Sequence, residues 1–153
     1  VNDAPSGIAL LSDDPDRAAP LEAALRCRGH DARVVDLRKF AWFPSDSPPV
    51  WRLVVNQVAV RPPREATGVG AVARDLLAAL ELHGVRCVNG RHCHAVGASK
   101  TLQAAVFQRA GAPTPQTRAI HASSFLPDES EGLLKPNAGG RGFAVSAGDA
   151  PAR

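Results

Sequence analysis

Short apolar runs alternate with stretches of helical spacing along most of this chain. Residues 7 to 12, GIALLS, run into Asp13, Asp14 and Pro15, the pattern of a buried strand followed by a helix start. Leu21, Ala24, Leu25 and Arg28 then recur at helical spacing until Gly29 stops them, and Pro20 either lies in the first turns of that helix or marks its true start. DARVVDL, 31 to 37, predicts a second strand, and AWFPSDSPPV, 41 to 50, a proline-rich connection. WRLVVNQVAV, 51 to 60, predicts a third strand, followed by the loop RPPREATG. Val69, Ala73, Leu76, Leu77 and Leu80 predict a helix that ends at Gly84, and VRCVNG, 85 to 90, a fourth strand closed by a turn. Strands alternating with helices imply βαβ units, an α/β class and a doubly wound, mainly parallel sheet.

The pattern changes near Gly97. Ser99 is a good N-cap, Lys100 opens a helix, and Leu102, Ala105, Val106 and Arg109 carry it to Gly111. The stretch APTPQT leads to a short strand around residues 118 to 120. GLLKP and GFAVSA then read as two strands joined by a glycine loop. Two organisational units follow: an α/β domain over residues 1–90 and the beginning of an α+β unit over residues 91–153.

Composition narrows the class. The chain has 153 residues, 44% hydrophobic and 22% charged, enough for one packed domain and part of a second. There is no run of 18 apolar residues, and no basic segment precedes the first apolar run; neither a membrane span nor a secretory signal is expected, and a cytoplasmic location is. Cys27, Cys87 and Cys93 have no paired spacing, which fits reduced thiols. Net charge is +3 with the arginines scattered, a distribution that suits one anionic ligand better than nucleic acid.

Candidate chemistry centres on LLKPNAGGRGF, 133 to 143. Glycines free the backbone so that consecutive N–H groups can wrap phosphate oxygens, and an adjacent lysine supplies a compact charge. Here Lys135 precedes the glycines, so this is not the Walker pattern, in which lysine follows them. A plain hairpin turn is the bland alternative. Lys100 stands at a helix N-terminus, where the dipole disfavours a cation; a phosphate there would account for it.

Lys135 followed by Gly139, Gly140, Arg141 and Gly142 resembles the ATP-grasp superfamily, in which a lysine and the glycine-rich loop after it clamp nucleotide phosphates. Residues 88 to 117, VNGRHCHAVGASKTLQAAVFQRAGAPTPQT, are similar to the segment entering that fold: a strand ending in Asn, a connection, a Ser-Lys helix start, then Gly and Thr-Pro. The likeness is greatest to ribosomal-protein glutamate ligases and their peptide-modifying relatives. It implies a pre-ATP-grasp domain over 1–90, a partial ATP-grasp subdomain over 91–153, and part of an ADP-forming carboxylate–amine ligase. It implies ATP and magnesium as cofactors, with Lys100, Lys135, Gly139, Gly140, Arg141 and Gly142 on the nucleotide. Implied partners are a carboxylate substrate, such as a peptide or amino acid, and an amine; Arg61 and Arg64 of the RPPR loop could meet the carboxylate. Neither nucleic acid nor membrane is implied, and homo-oligomer formation stays open. The family's adenine-binding hinge and its late magnesium-holding Glu, Asp and Asn residues have no counterpart before Arg153. The resemblance therefore implies no metal ligands in this chain, no nameable general base, and no activity by itself.

Three other motifs compete. His92, Cys93 and His94 suggest zinc, but they share a direction only in a strand and lack a fourth ligand; no metal is expected there. GVGAVA, 68 to 73, has dinucleotide-fingerprint spacing without the strand that should precede it, and reads as a helix start. IALLSDD resembles the opening of a phospho-receiver domain, yet the third strand carries Asn56 and Gln57 where the acceptor aspartate belongs. A degenerate receiver and a non-catalytic binding or assembly module are the alternatives. Asp13 and Asp14 read more simply as capping acids beside Pro15.

Overall fold

The structure, a computed structural model, describes residues 7–42, 51–59 and 68–117, the strands Gly132–Leu134 and Ser146–Gly148, and Asn137. The chain divides into two compact units, Val1–Ala59 with Ala66–His94, and Val60–Glu65 with Ala95–Arg153.

The first unit is α/β. Strands β1 (Ile8–Ser12), β2 (Ala32–Asp36), β3 (Leu53–Asn56) and β4 (Arg86–Val88) form one parallel sheet in the order β2-β1-β3-β4. Helix α1 (Pro15–Cys27) links β1 to β2, and α2 (Val69–Leu82) links β3 to β4. The two crossovers step in opposite directions along the sheet, so right-handed connections place their helices on opposite faces. The core confirms this. Ile8, Leu10 and Ala32 pack with Leu21 and Leu25 of α1, whereas Ala9, Leu11 and Val54 pack with Val69, Ala73, Leu76, Leu77 and Leu80 of α2. Strand β1, central and covered on both faces, is buried along its length, which is why it reads as an unbroken apolar run. The arrangement is Rossmann-like and doubly wound, as the alternation predicts.

Local chemistry sets the helix ends. Asp14 is the N-cap of α1, its side chain accepting from Arg17 N, with Pro15 in the first turn. Pro20 lies inside the helix. Gly29, at φ +80°, turns the chain out and donates to Arg26 O at 2.9 Å. Helix α2 begins after Gly68, so GVGAVA is a helix start.

Two expectations need correction. The third strand is shorter than 51–60: it runs Leu53–Asn56, with Asn56 still paired to Leu11, and just beyond it Val58 N donates to the Asn56 side chain, Oδ1, at 3.1 Å. Residues RHCHAVGA are not a connection but helix α3 (Arg91–Ala98). Its first N–H is accepted by a distant group, Glu81 Oε1, at 2.9 Å.

The second unit contains α4 (Lys100–Arg109) and an antiparallel pair, β5 (Gly132–Leu134) with β6 (Ser146–Gly148). The two strands expected around the glycine loop are thus present, the second displaced toward the C-terminus of GFAVSA. The strand expected around residues 118 to 120 lies outside the described residues.

Candidate functional site

Helix α4 starts as its sequence predicts. Ser99 is extended, and its Oγ accepts from Leu102 N at 3.2 Å, while Gln103 N donates to Ser99 O at 3.0 Å. A helix leaves its first N–H groups without intrahelical partners, and here Asn137 supplies the remaining ones. Lys100 N donates to Asn137 O at 2.8 Å, and Thr101 N to Asn137 Oδ1 at 3.0 Å. Thr101 Oγ1 and Ser99 Oγ also donate to that Oδ1, at 2.9 and 3.2 Å. The amides that could otherwise face an anion are therefore occupied. What this helix start can still offer a phosphate is the Lys100 ammonium. Among the described residues that ammonium meets one partner, Gln103 Oε1 at 3.1 Å. Gln103 is itself anchored through Nε2 to Val96 O and Gly97 O, both at 3.1 Å. An ammonium has three donors, so this single contact steers the lysine without exhausting it.

Of the other residues assigned to the nucleotide, Lys135, Gly139, Gly140, Arg141 and Gly142 lie outside the described residues, as do Arg61 and Arg64. Asn137, between Lys135 and the glycines, was passed over in the sequence. Nothing local flags it, since its partners are 36 to 38 positions away.

A second polar cluster lines the carboxyl edge of the parallel sheet, where open α/β sheets place ligand crevices. Asp13, buried after β1, accepts from Arg17 Nη2 at 2.5 Å and from Ala59 N at 3.1 Å. Arg17 also donates to Gln57 O at 2.7 Å. With Asp14 capping α1, this acid pair has structural work of its own, in keeping with the capping reading rather than the receiver one.

Beside it, Asn56 Nδ2 donates to Asn89 O at 3.1 Å and lies 3.2 Å from His94 Nδ1. Because Asn56 Oδ1 already accepts from Val58 N, the nitrogen faces the histidine, so Nδ1 must be the acceptor. His94 is then the Nε2–H tautomer, donating to Gly70 O at 3.2 Å. Both ring nitrogens are engaged, which removes His94 from any zinc set. His92, two residues earlier on a helix, projects about 200° away from it. Burial pushes the Cys87 thiol up to about 11, with Glu81 adding to the effect; it is a poor thiolate ligand. Among the described residues no group of three His, Cys, Asp or Glu side chains could hold a metal, and no helix is long and apolar enough to cross a membrane.

No protein-family model matches the chain, and no curated protein matches it. Solved structures do. The RimK domain protein ATP-grasp from Sphaerobacter thermophilus DSM 20745 aligns with a TM-score of 0.64 and 23% identity, over 92% of this chain and 52% of its own. The ATP-grasp ligase PsnB, solved in complex with a minimal precursor, aligns with a TM-score of 0.59 and 19% identity, over 95% of this chain and 58% of its own. The likeness to ATP-grasp ligases expected from residues 88–117 and the glycine loop is present in the fold. The chain spans about half the length of these structures.

Proposed function

We propose that this chain is the N-terminal portion of an ATP-dependent, ADP-forming carboxylate–amine ligase, in which Lys100, Lys135 and the backbone of Gly139, Gly140 and Gly142 meet the polyphosphate, with Arg141 beside them. The observation that carries the reading is the tie between Asn137 and the start of α4. Lys135 stands two residues before Asn137 and Gly139 two after, so the covalent chain keeps both Cα atoms within about 8 Å of that of Asn137. A hydrogen bond of 2.8 Å joins Asn137 to the residue that carries the other lysine. In this reading Lys100 and the segment around Asn137 serve one polyphosphate site, and the fold shared with ATP-grasp structures supports that chemistry.

Bound ATP would supply the phosphoryl group that activates a carboxylate toward an amine. The residues of this chain would neutralise and orient the polyphosphate, since phosphoryl transfer depends mainly on positioning and charge stabilisation. Magnesium accompanies such reactions, but the described residues contain no acidic cluster that fits it, and no step is assigned to it. Residues 1–90 would serve as the pre-ATP-grasp domain and contribute substrate binding, with Arg61 and Arg64 on a carboxylate. The substrate class that the sequence resemblance implies is a peptide or amino acid.

The test is a nuclear magnetic resonance titration of the chain with ATP. Phosphate contacts without an adenine wall or a divalent ion are weak, so a Kd of about 1 mM, roughly 4 kcal/mol, is expected, with no hydrolysis. Lys100→Ala and Lys135→Ala should each weaken binding, and Lys39→Ala should not. Absence of ATP-induced shifts around Lys100, or an equal response to all three substitutions, would leave a non-catalytic binding module as the better reading.

A further inference from the structure

Asn137 offers one side-chain oxygen to three donors: Ser99 Oγ at 3.2 Å, Thr101 N at 3.0 Å and Thr101 Oγ1 at 2.9 Å. An amide oxygen has two lone pairs, so the three must share it. Three converging donors also identify that atom as oxygen rather than nitrogen. A helix cap needs only one acceptor for one N–H, and Ser99 already caps Leu102 N. The additional hydroxyl donors from residues on both sides of Lys100 do more than cap. They fix the residue-137 side chain to both flanks of that lysine.

We infer that Asn137 is a positioning residue of the nucleotide site. Its side chain holds the start of α4, and with it the Lys100 ammonium, in place for a phosphate group. The inference rests on the nucleotide reading above. It also accounts for the residue type. Aspartate would accept the same three donors, and more strongly because it is charged, but it would place a negative charge beside a site built for phosphate. Asparagine closes the contact with a neutral oxygen. Alanine would leave Thr101 N–H and two hydroxyls without their acceptor. The main-chain bond from Lys100 N to Asn137 O does not need the side chain and survives either substitution, so neither variant should unfold the unit.

Two variants of the full chain separate the latch from the charge. The readouts are amide hydrogen exchange at Thr101 and affinity for inorganic tripolyphosphate, a probe that needs no adenine contacts. In Asn137→Ala, Thr101 exchange should accelerate and tripolyphosphate affinity fall about fivefold or more, the ordinary worth of a lost hydrogen bond. In Asn137→Asp, Thr101 exchange should stay slow while affinity still falls, and this second loss should shrink as salt is raised, because it is electrostatic. A purely structural asparagine would not give that combination. The inference is overturned if Asn137→Ala speeds Thr101 exchange yet leaves affinity within twofold of wild type, or if Asn137→Asp binds tripolyphosphate as well as asparagine does. If the wild-type chain gives no tripolyphosphate shifts at Lys100 while Thr101 exchange responds as described, the nucleotide reading itself has failed and takes this role with it.

Discussion

Asp36 closes β2 and turns its carboxylate onto Arg38, two residues later. Arg38 Nε donates to Oδ1 and Nη2 to Oδ2, both at 2.8 Å, and the Arg38 backbone N–H adds a bond of 3.1 Å. Side-chain hydrogen bonding from Arg38 is the largest influence, and it lowers the Asp36 carboxyl from 3.8 to about 2. A carboxyl depressed in the folded state binds fewer protons there than in the unfolded chain, so its contribution is present above the unfolded value and disappears as acid protonates it. The Arg38 side of the pair is exposed, and its contribution is of the modest kind such pairs make. The expected outcome is a urea midpoint that declines as pH falls from about 4 toward 2. Asp36→Asn should have a lower midpoint at pH 6 and a flatter profile across that window. Equal acid dependence in the two proteins would show that the carboxylate does not contribute.

At the scale of elements, most of the architecture was legible because its signals are local. The apolar run of β1, the 3.6-residue spacing of α2 and the Ser99 cap each lie within a dozen residues of the element they define. The failures have the opposite character. Helix α3 buries only His94, so it carries no apolar stripe to read, and its first N–H finds Glu81, ten positions away. Strand β3 ends at Asn56, whose side chain engages Asn89 and His94, 33 and 38 positions distant, contacts that no local pattern signals. In the candidate site the same division holds: the Ser99 cap could be read locally, but the contacts of Asn137 could not, since they exist only once two segments meet. Helix α3 offers a direct test of the long-range cap. A Cβ on Gly90 would collide with Glu81 Oε1, the acceptor for Arg91 N, and come within 3.2 Å of Cys87 Cβ. Gly90→Ala should therefore displace the Glu81 carboxylate and uncap α3, costing about 1 kcal/mol. Faster amide exchange at Arg91, without change in α2, would be its signature. Glu81→Gln keeps an acceptor oxygen and should lose less.

The whole molecule concentrates its apolar burial unevenly. In the first unit Leu10, Leu11, Val54, Leu77 and Leu80 are completely buried; Leu11, Val54, Leu77 and Leu80 tie the central strands to α2, and Leu10 ties β1 to α1. Helix α4 has no buried residue, and Leu102, Val106 and Phe107 are 45%, 41% and 50% exposed. A helix of this length is marginal in water on propensity alone, so its terminal bonds to Ser99 and Asn137 carry much of its stability. Regions with few buried apolar contacts open locally, at a free energy below that of global unfolding. Native-state hydrogen exchange should accordingly find the α2 amides opening with the global transition and the α4 amides opening well below it. Leu77→Ala sharpens the test, since truncating a completely buried leucine costs about 2–5 kcal/mol. That loss should appear in the exchange of β1, β3 and α2 together. Exchange in α4 should not change, because its opening does not require the core around Leu77 to come apart. If α4 lost protection in step with α2, the stability of α4, and with it the position of Lys100, would depend on the sheet core rather than on the contacts of Asn137.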